Sequence, residues 1–248
     1  MSESLSIAII TRDAAGQIEA CLQSVAFADE IVVVDSGSSD ATVEIARRYG
    51  ARVLRQDWLG YGKQKQFAVT QAAHDWVLCL DADERVSPLL ASSIQEALRR
   101  PGFFAYEMPR CNRFMGRWLR HGEGYPDPNL RLFHRRRVRW SDDPIHEHVV
   151  TGETVGRLRG DLLHESETSI ADYLDKQSRY TTLQAEAMNA RGKRVSVAGM
   201  LLSPLLRFVK FYVLRLGFLD GVPGLVHIAI GCFNSFIKYS KLRELQRR

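Results

Sequence analysis

The sequence predicts an α/β fold: a mostly parallel sheet flanked by helices, followed by a C-terminal amphipathic helical extension. Three observations carry the sheet. Short apolar runs alternate with helical periodicity through the first hundred residues, the runs are apolar on both faces, and two of them stop at aspartate. Ser6–Ile10 is the first run, and Ile18, Cys21, Leu22 and Val25 then share one helix face. Ile31–Val34 is a β-branched run ending at Asp35. The turn-rich Ser36-Gly37-Ser38-Ser39-Asp40 follows, with Asp40 placed to N-cap a helix over Thr42–Tyr49. Arg52–Leu54 reads as a third strand, Lys65–Ala73 as a helix, and Trp76–Leu80 as a fourth strand stopped by Asp81-Ala82-Asp83-Glu84. Pro88 opens a helix ending near Arg100. Phe103–Met108 and Leu130–Phe133 read as strands on either side of a Gly/Pro/Arg-rich loop from Arg110 to Asn129, and Ile170–Ala190 as a helix.

With 248 residues, 45% hydrophobic and 25% charged, the chain has the composition of a folded protein, which excludes disorder and collagen-like architectures. Cys21, Cys79, Cys111 and Cys232 form no CxxC pair, so neither a disulfide scaffold nor a cysteine zinc site is expected and a reducing compartment fits. The start, MSESLSIAIITRD, lacks a basic region and does not read as a secretory signal. Charge is uneven: ten basic against fifteen acidic residues in 1–109, nine against two in 110–139, and eleven against two in 191–248. Two basic stretches suggest an anionic ligand or surface. No zinc-finger, helix-turn-helix or RNA-binding pattern accompanies them, so a membrane surface is preferred to nucleic acid. From Met200 to Ile237 the chain is apolar but interrupted by Arg207, Lys210 and Arg215 and then by Asp220, Pro223 and His227. That disfavours a spanning helix and fits a helix lying in the membrane interface; a packed helical pair or a re-entrant hairpin are the other readings.

In open α/β sheets ligands bind beyond the carboxyl ends of the strands, where Asp35 and the Asp81/Asp83 pair fall. Two carboxylates at i and i+2 suit Mg²⁺ or Mn²⁺ held against a diphosphate. Asp35 precedes the helix cap and is free to face a base or ribose. Gly60-Tyr61-Gly62-Lys63-Gln64-Lys65 opens a helix and makes a phosphate neighbour, without the Walker A spacing. Trp140–His148 gathers three acids and two histidines, lacks HExxH spacing, and offers Glu147 or His146 as a general base. His164 is either a metal ligand or a half-buried structural histidine.

Together these residues resemble a family 2 glycosyltransferase of the GT-A, nucleotide-diphosphosugar type. Ser6–Thr11 resembles its first strand and nucleotide loop, Asp29–Asp40 its second block, and Trp76–Glu84 its metal motif. Tyr125-Pro126-Asp127, Arg131-Leu132-Phe133, Ile145-His146-Glu147 and Gly217-Phe218-Leu219-Asp220-Gly221 resemble the bacterial subgroup that builds lipopolysaccharide inner core, which includes a β-glucosyltransferase. Two departures stand out: Asp13-Ala14 replaces the usual Asn-Glu, and Gln66 stands where Asn is common.

The resemblance implies inverting transfer of a sugar, glucose foremost, from a UDP-sugar to an anionic glycolipid at the cytoplasmic face of the bacterial inner membrane. It implies Thr11 and Asp35 at the uridine, Lys63 or Lys65 near the nucleotide or diphosphate, and Arg131 at phosphates of donor or acceptor. Asp83, supported by Asp81, would hold Mg²⁺ or Mn²⁺. Glu147 would be the base, with Asp143 and His146 behind it. Residues 1–168 would be the catalytic domain (nucleotide half 1–109, acceptor half 110–168) and 169–248 the membrane-associating extension. A polyprenyl phosphate or protein acceptor, a non-catalytic membrane scaffold and a nucleotidyltransferase are the rival readings.

Overall fold

In the computed structural model, which describes residues 2–142, 147–165 and 169–247, the chain forms two compact units. The first holds Met1–Cys111 and Asp127–Glu165, the second Asn112–Pro126 and Ser166–Arg248. A single division at 168/169 was expected; residues 112–126 instead belong with the helices.

The elements in chain order are β1 (Leu5–Thr11), α1 (Ile18–Ser24), β2 (Glu30–Asp35), α2 (Thr42–Arg48), β3 (Arg52–Arg55), α3 (Tyr61–Gln71), β4 (Trp76–Asp81), β5 (Glu84–Val86), α4 (Pro88–Arg99) and β6 (Ala105–Phe114). Then follow β7 (Arg117–Trp118), β8 (Asp127–His134), β9 (Arg139–Trp140), β10 (Val149–Val150), β11 (Val155–Arg157), β12 (Leu162–His164), α5 (Ile170–Ala190), α6 (Val197–Phe208) and α7 (Gly221–Leu245). The main sheet runs β3-β2-β1-β4-β8-β6-β12-β5. Its first four strands are parallel, and β8 then runs antiparallel to both β4 and β6, which makes the sheet mixed. No crossover helix joins β6 to β8, and antiparallel pairing needs none.

β1 is central and buried along its whole length because both its faces are covered. Ile7 and Ile9 pack with Leu78, Leu80 and Val33 against α1, α2 and α4. Ala8 and Ile10 pack with Val34, Val77 and Cys79 against Ala68 and Val69 of α3 and against Trp140. Each fully buried aliphatic side chain of this kind contributes about 1.5–3 kcal/mol. Ser87 caps α4 by accepting from the Leu90 N–H at 3.3 Å, with Pro88 following it. Asp40 acts one residue outside α2, accepting from the Thr42 N–H at 3.0 Å while Ala41 holds the cap position.

Three elements are clearly longer than their patterns suggested, among them β8, which begins at Asp127 inside the expected loop. β6 continues to Phe114, into the expected loop. α3 begins at Tyr61, four residues before Lys65, because Gly60 takes a backbone φ of +92° that turns the chain into the helix. Lys63 and Lys65 are therefore both helical, on different faces: Lys63 is exposed and Lys65 buried.

In the second unit α5 matches its expected range and opens on a capping box of Ser169 and Asp172. α6 carries Pro204 and continues as a π-helical turn, Val209–Leu214, before a short 3₁₀ turn, Gly217–Asp220, leads into α7. Asp220, 2% exposed, explains the membership of residues 112–126: it accepts from the Arg120 and His121 N–H groups at 3.0 and 2.8 Å. Arg117 donates to the Leu219 carbonyl at 2.9 Å, and Arg207 grips Glu123. Val197–Leu214 and Gly217–Leu245 are long and apolar enough to cross a membrane by length and composition, although both were set aside above as interrupted. Leu202, Leu205, Leu206 and Leu214 are 52%, 62%, 68% and 72% exposed.

Candidate active site

Parallel register brings the carboxyl ends of three strands together: Thr11 pairs with Asp35, and Ile10 with Asp81. Thr11 ends β1 with a buried hydroxyl that has no hydrogen-bond partner among the described residues. Asp35 is less available than expected. Its carboxylate accepts from the N–H groups of Gly37 and Ser38 at 2.9 and 3.0 Å and from the Ser38 hydroxyl, so most of its capacity goes to shaping its own loop. Asp13 ties the same loop to the end of β1 by accepting from the Ser39 N–H at 2.7 Å. Gln64, fully buried, donates to Ser36 at 3.0 Å and so fixes the start of α3 against the loop.

Beneath this edge lies a charge cluster. The Lys65 ammonium is 3.1 Å from each Asp81 oxygen, and Arg131 donates to Asp81 and to Glu84, both at 3.0 Å. Glu84 is fully buried; it also accepts from the Asp81 N–H at 3.0 Å and faces Arg110 at 3.8 Å. Trp140 lies under both cations, 5.0 Å from Lys65 and 5.5 Å from Arg131. Burial alone would raise the Asp81 carboxyl, but the Lys65 and Arg131 charges outweigh it and hold the group far below the usual carboxylate range. Burial raises the Glu84 carboxyl, with the Asp81 charge adding to the effect against the pull of Arg131. Burial also pushes the Cys79 thiol, which accepts from the Trp140 indole, up to about 11.

This arrangement bears on three expectations. Asp81 is paired with two buried cations, Lys65 and Arg131. Lys65 and Arg131 are its counter-ions within the protein, and Lys63 is exposed on the first turn of α3. The arginine-rich stretch after β8 is largely paired on the surface, Arg135 and Arg136 with Asp75 and Arg139 with Asp142.

Asp83 and His164 are brought together. Antiparallel pairing of β12 with β5 sets His164 opposite Glu84, and its Nε2 lies 3.2 Å from an Asp83 carboxylate oxygen. A carboxylate and an imidazole are a donor set that suits Mg²⁺ less than Mn²⁺, so the pair fits a divalent cation. No cluster of three or more such ligands occurs among the described residues.

Glu147 lies 3.6 Å from the Lys65 ammonium. Paired hydrogen bonds between Ser141 and His148, at 2.8 and 3.1 Å, close the ends of its loop. Gly62 lets that loop approach α3: a Cβ there would meet the Ser141 carbonyl at 2.5 Å and the Glu147 Cβ at 3.4 Å. Asp143 and His146, the other candidate bases, lie outside the described residues. Glu84 and Trp140 were not singled out for a role, and Gly62 was read only as part of a phosphate-neighbour stretch. Glu84 had a signal, an acid placed directly behind two others at a strand end.

Residues 6–161 match the family model described as Glycosyl transferase family 2. An uncharacterized glycosyltransferase of Rickettsia typhi is 31% identical over 254 residues, covering 97% of this chain and 87% of the relative. The lipopolysaccharide core biosynthesis glycosyltransferase LpsC of Rhizobium meliloti is 28% identical over 248 residues, covering 97% and 92%. Among solved structures, glucosyl-3-phosphoglycerate synthase of Mycobacterium tuberculosis, in complex with Mn²⁺, UDP and glucosyl-3-phosphoglycerate, is 23% identical over 45% of this chain and 44% of that one, with a TM-score of 0.39.

Proposed function

The chain belongs to glycosyl transferase family 2 and is a glycosyltransferase, and from that premise we propose that it moves a sugar, glucose foremost, from a UDP-sugar to a membrane glycolipid of the lipopolysaccharide inner-core kind, with inversion. The observation that carries the donor half is the Asp83–His164 pair, with the Thr11 hydroxyl at the end of β1 buried and without a partner among the described residues. Similarity to LpsC over nearly the whole chain supports the acceptor class. The exposed leucines of α6, beside Arg207 and Lys210, support residence at a membrane surface, which for such an acceptor is the cytoplasmic face of the inner membrane.

Thr11 offers its hydroxyl to the nucleotide, and Asp35 acts through the loop it shapes. Lys63 meets the diphosphate from the first turn of α3. Asp83 and His164 would hold Mg²⁺ or Mn²⁺, whose Lewis acidity would balance the charge that develops on the departing UDP. Asp81 keeps Lys65 and Arg131 in place, and through Lys65 it fixes Glu147, which removes the proton from the acceptor hydroxyl. Base and leaving group must lie on opposite faces of the sugar for direct displacement to invert the anomeric centre.

The test is UDP binding by calorimetry with and without Mn²⁺, alongside transfer. D83A and H164A should each abolish the Mn²⁺-dependent gain in UDP affinity, and D83A should lower turnover roughly 100-fold, about 3 kcal/mol in barrier. A wild-type chain whose UDP affinity ignores Mn²⁺, or a D83A chain that keeps the gain, refutes the metal assignment.

A further inference from the structure

In the second unit a 420 Å³ cavity opens where α5 gives way to α6, lined by Asn189, Gly192, Arg194, Arg243, Gln246 and Arg247. Two hydrogen bonds join its walls. Gln246 donates to the Lys193 carbonyl at 2.7 Å and Arg243 to the Val195 carbonyl at 3.2 Å, hooking the last turns of α7 onto the connection. Gly192 makes the turn possible with a φ of +66°. Three of the six lining residues are arginines and none is an acid; Glu244, the acid nearest in sequence, is not part of the lining. Arg243 has a structural task, whereas the guanidinium groups of Arg194 and Arg247 have no partner among the described residues.

Cations near helix C-termini are favourable in themselves, and α5 and α7 both end here. That role needs charge near the last carbonyls. It does not require a concavity with hydrogen-bonded walls and two arginines left unpaired at its rim.

We propose that this cavity is a binding site for a phosphate group, gripped by the guanidinium forks of Arg194 and Arg247 with the Asn189 amide completing the polar lining. The phosphate can belong to a lipid headgroup or be free in solution, and α6, which starts three residues beyond Arg194 with exposed apolar side chains, is placed for the lipid. The inference stands apart from the transferase reading, since none of its residues belongs to the candidate active site.

The full-length protein is titrated, with divalent cations chelated, against inorganic phosphate and against phosphatidylcholine vesicles with and without phosphatidate. R194A/R247A should weaken phosphate binding, or the phosphatidate-dependent increment in vesicle binding, by at least about ten-fold. K176A/R179A, which removes the same charge from exposed positions of α5, should change either by less than about two-fold. A loss with inorganic phosphate assigns a free anion, and a loss confined to vesicles assigns the headgroup. UDP binding, measured alongside, stays at the wild-type value, which separates the outcome from any failure of the donor site. Equal losses in both variants, an unchanged R194A/R247A, or a wild type that saturates with neither probe overturns the proposal.

Discussion

Lys65→Met removes one positive charge from the interior while keeping most of the side chain's length against Trp140. Lys65 is 5% exposed in its side chain and serves two carboxylates, Asp81 at 3.1 Å and Glu147 at 3.6 Å. Stripping one partner from a buried ion pair costs about 3–5 kcal/mol. Here Arg131 still neutralises Asp81, and the Asp81 side chain is 27% exposed, so the lower end applies, about 3 kcal/mol. Urea denaturation followed by tryptophan fluorescence measures it for K65M, D81N and the double variant. The cycle should return a coupling between Lys65 and Asp81 of about 1.5–3 kcal/mol. The sign with pH is fixed as well. Asp81 has a depressed folded value, so its contribution is fully present above its unfolded value and fades as pH falls through the folded one. Losing Lys65 shrinks that contribution, so the gap between wild type and K65M is widest above the usual carboxylate value and narrows as pH drops below it. Additivity of the two single variants within about 0.5 kcal/mol, or a gap that widens on acidification, refutes the clamp.

Glu147→Gln should leave Mn²⁺-dependent UDP binding intact and slow transfer by about 100-fold or more; unchanged transfer moves the base to Asp143 or His146. Gly62→Ala pushes a Cβ onto a backbone carbonyl 2.5 Å away, which should cost about 1–3 kcal/mol in unfolding and displace the Glu147 loop, lowering transfer more than UDP binding. Equal effects on both would show that the loop is not part of the acceptor side. Glu84 has a raised folded value, so wild-type stability should fall as pH climbs through it, above the ordinary 4.5, and E84Q should remove that slope. Parallel stability curves for the two proteins would contradict the assignment.

Most of the parallel half of the sheet was legible because β1, β2 and β4 are largely buried, which leaves apolar runs that end where the chain meets solvent. Asp35, Asp81 and Asp83 stood out for that reason. What those carboxylates do was not legible, since it depends on partners far along the chain: Arg131 reaches Asp81 across fifty positions and His164 reaches Asp83 across eighty-one. β6 and β8 were blurred because arginines and prolines interrupt strands whose outer halves are partly exposed. The early start of α3 was hidden by glycines, which weaken a helical pattern and yet supply both the turn at Gly60 and the close approach at Gly62.

Asp220 has a consequence for anyone who trims this protein. The polypeptide leaves the first unit at Asn112, comes back at Asp127 and departs again after Glu165, so no single cut yields either half intact. A fragment ending near residue 165 keeps the 112–126 excursion and loses the carboxylate that receives its Arg120 and His121 amides. Poor solubility of such a fragment would therefore report the broken second unit, not a defect in the first.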